Sequence, residues 1–159
     1  SNILSPAFTG NKYLNMNFSD LITSHGKRVT KEAFIYLVQV SRVDGKIGEE
    51  ELELLHKEGR KFGLTEPEIE KLIHAQKGHH YHAPYSLEEK FEHFYNIAEM
   101  ILADDVVKEK EKKIMKRFAI EAGFEYSKID VLIDLVLDGI EKNTEEEELF
   151  AKFKRKLLH

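Results

Sequence analysis

Apolar residues in this chain recur at spacings of three and four almost throughout, and that period leaves room for little but helices. The cleanest stretch is 127–142. There Ile129, Leu132, Ile133, Val136, Leu137 and Ile140 fall at i, i+3, i+4, i+7, i+8 and i+11, one apolar stripe on an amphipathic helix. The same period predicts helices over 30–43 (Phe34, Leu37, Val38 and Ser41 on one face), 49–62 (Leu52, Leu55, Gly59, Phe62) and 66–76. Further helices are expected over 86–103 (Phe91, Phe94, Ala98, Ile101, Leu102), 108–122 (Ile114, Met115, Phe118, Ala119) and 144–158. Residues 5–26 read as a short helix or two with loops. With only three prolines and few alternating runs, the expectation is an all-α bundle of about seven or eight helices and no sheet.

Helix ends are marked as clearly as helix faces. Thr65-Glu66-Pro67-Glu68 and Ser86-Leu87-Glu88-Glu89 have the form of capping boxes. Thr144, with Glu147 reciprocating, is expected to cap the last helix in the same way. Gly63 and Gly123 stand where a left-handed residue ends a helix. The stretch Lys77 to Tyr85, with Gly, Pro and three His, reads as a linker.

Shifting the chain by 60 residues without a gap brings Phe34 onto Phe94, Leu37 onto Ile97, Asp44 onto Asp104 and Glu51 onto Glu111. Gly63 then meets Gly123, and Leu72-Ile73 meets Leu132-Ile133. Identity over 34–73 is about one in five, but apolar, acidic and Gly positions all keep one register. Each unit (about 30–77 and 86–142) reads as helix, acidic turn, helix, Gly stop, helix. Neither closes a core alone, so one domain over 1–159 with approximate two-fold symmetry is expected. Residues 1–26 and the 144–158 helix are additions to it. Phe34, Phe94, Leu132 and Ile133 are selected as buried by both register and period.

Charge and composition then exclude several classes. The absence of Cys removes disulfides, thiolate metal sites and cysteine nucleophiles. No apolar run approaches the roughly 20 residues that span a bilayer, and no signal pattern is present, so a cytoplasmic location is expected. The net charge is −5, with 11 basic and 11 acidic residues over 1–80 but 13 and 18 over 81–159. An acidic second half argues for cations or basic protein partners and against nucleic acid. The basic run Lys152 to Lys156 is short and balanced by Glu145 to Glu148.

Two acidic turns carry the first candidate site. In Asp44-Gly45-Lys46-Ile47-Gly48, Asp44 can accept from the turn backbone, Gly45 permits positive φ, and Ile47 points to the core. Gly48 then caps the next helix with Glu51 at its third position. This is a helix-turn-helix corner, or else a loose cation site. Asp-Gly-x-Ile-x-x-x-Glu matches the second half of an EF-hand loop, but Val40 and Arg42 occupy the positions that must supply oxygen. In the echo those positions are Met100 and Leu102, so a true EF-hand is excluded. A weak Ca²⁺ or Mg²⁺ site would use Asp44 and Glu51, or Asp104, Asp105 and Glu111; no other cofactor is expected.

The residues VSRVDGKIGEEELELL (Val40 to Leu55) resemble the signature of the TerB-like tellurite-resistance family. KFGLTEPEIEKLI (Lys61 to Ile73) is similar to the next part of that pattern. The echo ILADDVVKEKEKKIM (Ile101 to Met115) suits the duplicated helical architecture of the family, though Asp105 replaces Gly45 there. The resemblance covers about residues 30–140. It implies a helical interaction module linked to stress response, with no settled enzymatic activity and with metal-dependent or membrane-surface assemblies.

The second candidate is a ridge. Asp130, Asp134 and Asp138 lie four residues apart, with Glu141 beyond. Like charges at this spacing cost roughly 0.2–0.5 kcal/mol each. Either the basic helix (Lys108, Lys110, Lys112, Lys113, Lys116, Arg117) neutralises them, or they form a docking face for a basic partner or a cation.

Weaker signals are read structurally. Gly78 to His82, near His74 and Tyr85, can gather imidazoles around Zn²⁺ or Ni²⁺, but flexible His loops are seldom preorganised. Glu53-x-x-His56 is half a di-iron motif whose echo, Lys113 to Lys116, lacks both ligands. No Walker loop, His-Glu-x-x-His or nucleophile elbow is present, and nothing orients a Ser/His/Asp triad. The expectation is a non-enzymatic interaction module, with a weak cation-binding stress sensor as the alternative.

Overall fold

The computed structural model describes residues 20–22, 28–102 and 109–158. Most of 5–26, together with Asp104 and Asp105 of the second acidic turn, lies outside the described residues. In chain order, β1 (Asp20–Ile22) pairs antiparallel with β2 (Arg28–Thr30), and Asp20 stands opposite Thr30. There follow α1 (Lys31–Ser41), β3 (Arg42–Val43), β4 (Lys46–Ile47), α2 (Glu49–Lys61), α3 (Glu66–Ala75) and α4 (Leu87–Ile101). After α5 (Glu109–Glu121) a 3-10 turn (Tyr126–Lys128) leads into α6 (Ile129–Glu141), and α7 (Glu146–Leu157) closes the chain. Among the described residues this is an all-α bundle of seven helices. None of them is long and apolar enough to cross a membrane.

Two short strand pairs correct the expectation of no sheet. β1 lies where a short helix was expected, and its residues pair with β2, which packs on α4. The second pair is a hairpin, Arg42 opposite Ile47 and Val43 opposite Lys46, in place of a plain corner. Asp44 takes φ 52° and Gly45 φ 79°, the two positive values of a type I′ turn. Asp-Gly between short extended segments is the strongest local signal for such a turn, and here it outweighs the helical period on either side.

Helix ends follow local chemistry. The Glu68 amide donates to Thr65 Oγ1 at 3.3 Å while the Thr65 amide donates to Glu68 Oε1 at 2.8 Å, which completes that capping box. At Ser86 the amide of Glu89 donates to Oγ at 3.1 Å. Thr144 does not cap α7: the N-cap is Glu145, without a side-chain hydrogen bond. Asn143 takes φ 59°, and the Thr144 amide donates back to the Gly139 carbonyl at 2.8 Å. That bond belongs to the Schellman ending of α6, so Thr144 is committed to the previous helix.

The core is one apolar cluster drawn from all seven helices. α4 is its centre, packed against α1, α5, α6, α7 and β2, and Phe91, Phe94, Ile97, Ala98, Met100 and Ile101 are all enclosed. Phe34, Leu132 and Ile133 are buried as the period requires. α2 and α5 are both 13 residues long, displaced by 60. Each ends the same way, with Gly63 at φ 81° and Gly123 at φ 89°, and with Leu64 donating to Gly59 and Phe124 to Ala119. Packing is less even-handed. α1 lies against α5, whereas α2 is not among the main neighbours of α4, so the echo in sequence does not extend to equal contacts.

Candidate functional site

α6 turns Ile129, Leu132, Ile133, Val136 and Ile140 into the core, and a helix anchored on that face must present its other face to water. Asp130, Asp134, Asp138 and Glu141 are accordingly all exposed. Among the described residues, Asp138 meets Lys142 of its own helix end at 3.1 Å, and Asp130 and Asp134 make no ion pair. Among the described residues no cation of the basic helix pairs with the ridge, contrary to one of the two expectations for it; Lys108 lies outside the described residues. α5 spends its cations on α2 instead: Arg117 meets Glu51 at 3.4 Å and Lys110 meets Glu53 at 3.5 Å. Lys116 lies over the Tyr126 ring at 5.2 Å.

The ridge borders a groove between α6 and α7. At one end the helices approach closely, since a Cβ on Gly139 would sit only 2.2 Å from Leu149 Cδ2. At the other end Lys128 Nζ donates to the Lys156 carbonyl at 3.4 Å. Between these points the surface opens into a hollow of about 540 Å³ over Val131, Leu135 and Leu149. Asp134 and Asp138 stand on its α6 side, Lys152 and Lys156 on its α7 side. A second hollow of about 610 Å³ continues past Lys128 and Arg155. In the sequence the cations of α7 read only as a short basic run balanced by Glu145 to Glu148. Their i, i+4 spacing was the available signal that they form a wall.

The residues of the acidic turns are held apart. Asp44 is exposed at the hairpin tip, Glu51 faces Arg117, and Glu111 is enclosed against Lys57 Nζ at 2.6 Å. Asp104 and Asp105 are not among the described residues. Among the described residues no group of three or more His, Asp or Glu side chains is gathered to hold a metal ion. Gly48 is the N-cap of α2 and leaves room for Glu51 to reach back, because a Cβ there would meet Glu51 Oε1 at 2.4 Å.

Near Glu111 lies a buried carboxyl that the motifs of the sequence do not single out. Glu58 of α2 is wholly enclosed, with Lys61 Nζ at 2.9 Å from Oε1. Burial pushes its carboxyl up to about 8, against the pull of Lys61 and Lys57 and with the help of Glu111. Lys61 also donates to the carbonyls of Met100 and Ile101 at 3.3 and 3.4 Å, tying α2 to the end of α4. Glu58 stands three residues beyond Leu55 and four beyond Leu54, so the apolar period alone would have placed it inside.

His79, His80 and His82 are exposed, while Tyr81 between them anchors the loop. Its ring meets Phe118 at 4.7 Å and Tyr36 at 5.3 Å, and its hydroxyl lies 2.9 Å from His93 Nδ1. Burial lowers the His93 pKa and raises that of Tyr81. His56 bridges α2 to α3, with its ring nitrogens 2.6 Å from Glu66 and 2.5 Å from Glu70. Arg60 shares Glu66 at 3.1 Å. That hydrogen bond holds the Glu66 carboxyl below the usual range, with His56 adding to it.

No family model, no curated protein and no solved structure matches this chain.

Proposed function

We propose that this chain is a non-catalytic, cytoplasmic interaction module of the TerB-like type that engages a basic protein surface through the outer face of α6. The observation that carries this reading is the uncompensated row of Asp130 and Asp134 beside the open α6–α7 groove. Uncompensated like charges four residues apart work against the helix that bears them, and a basic partner relieves that repulsion. Placement in a stress response rests on the resemblance of Val40 to Leu55 to the family signature. The test is anisotropy titration with a Lys-rich amphipathic helical peptide. Saturable binding that weakens with salt, and is lost in Asp130→Lys/Asp134→Lys, is the expected result. Equal binding by wild type and variant would overturn the assignment of this face.

A further inference from the structure

The same groove has a property that an acidic docking face does not need: its opposite side is basic. Lys152, Arg155 and Lys156 line the α7 side, and among the described residues Arg155 and Lys156 make no ion pair. Lys152 meets Glu148 of its own helix at 3.4 Å. The acidic and basic sides do not neutralise each other, because the hollow of about 540 Å³ lies between them. One molecule therefore carries two stripes of opposite sign: among the described residues Asp134, Arg155 and Lys156 make no ion pair, and Asp138 and Lys152 pair locally with Lys142 and Glu148 rather than with each other's stripe.

We infer that the occupant of this surface is a second copy of the chain, in a weak face-to-face dimer. The inference rests on the module reading above and names its partner. Symmetry supplies the argument. In a two-fold interface each residue that contacts a partner position is contacted by it in return. An axis running along the groove exchanges its two sides, so Asp134 and Asp138 of each copy stand over Lys152 and Lys156 of the other. An axis across the groove would place acid on acid and base on base. Charge selects the first arrangement, which lays α6 of one copy over α7 of its partner. Val131 and Leu135, half-buried on the groove floor, supply the apolar centre.

The size of the face sets the strength. Helices of 13 and 12 residues are about 20 Å long and about 10 Å wide. Two side by side offer roughly 400 Å² per copy, or about 800 Å² in all, against the 1,200–2,000 Å² of a stable complex. The dimer is thus transient and depends on charge, and salt at a few tenths molar screens it.

Sedimentation velocity on the full chain tests this over a concentration series at about 0.05 M and about 0.5 M salt. The expected result is self-association at low salt, with a dissociation constant raised at least tenfold at high salt. Asp134→Lys/Asp138→Lys and Lys152→Glu/Lys156→Glu should each be monomeric and equally helical by circular dichroism. An equimolar mixture of the two should recover a heterodimer. Wild-type protein that stays monomeric at low salt overturns the inference, as does a dimer that survives both reversals. A monomeric chain that still binds the Lys-rich peptide removes the second copy and leaves the module reading standing. A chain that binds neither removes both.

Discussion

At Asp44 the backbone takes φ 52° with Gly45 at φ 79°, and the side chain touches little because the tip is exposed. What this residue contributes is tolerance of the left-handed region, which costs a residue without a short polar side chain roughly 1–2 kcal/mol. Asp44→Val should therefore lower stability by about 1–2 kcal/mol in denaturant melts, while Asp44→Asn should leave it unchanged. Equal losses in both would mean that the carboxylate itself matters. Calorimetric titration with Ca²⁺ or Mg²⁺ is expected to show no saturable heat, since Glu51 and Glu111 are engaged by Arg117 and Lys57. Millimolar-range heat that disappears in Asp44→Ala would instead favour the cation sensor. The Asp-Gly pair was plain in the sequence. What the period obscured was that two residues on each side suffice for a hairpin.

Between elements, the decisive contact is the enclosed Glu58–Lys61 pair that joins α2 to α4. Its carboxyl is raised by burial from 4.5 to about 8. The native state therefore keeps a proton that the unfolded chain releases, and the sign follows from linkage. The contribution of Glu58 to stability is full below about pH 4.5 and is lost as the pH rises to about 8. Glu58→Gln should remove this dependence. Its stability should be near that of wild type in mild acid and exceed it progressively as the pH climbs to about 8, measured by urea melts in parallel. A difference that stays flat across that range would show that Glu58 is charged in the folded state at every pH tested. α2 alone shows where Glu58 points. Only the arrival of α4 and α5 decides that water is excluded around it.

For the whole molecule, α4 is the element on which the others close. Phe94 is fully buried there, with ring centroids 6.5 Å from Phe118 and 6.1 Å from Phe124. Phe94→Ala should cost about 3–5 kcal/mol in denaturant melts, the range for an enclosed aromatic. A loss below about 1 kcal/mol would mean that the bundle collapses readily into the space. The sequence by itself determined the helical class, the two Gly stops, the Thr65 box and the buried faces carrying Phe34, Phe94, Leu132 and Ile133. These depend on period and on contacts within four residues, which a linear reading contains. Tertiary structure alone decided that α5 gives its cations to α2 and that α7 brings Lys152 and Lys156 alongside Asp134 and Asp138. Those outcomes depend on which helices become neighbours. Charge pairing is settled by distances across helices far apart in the chain, and no local pattern carries those distances.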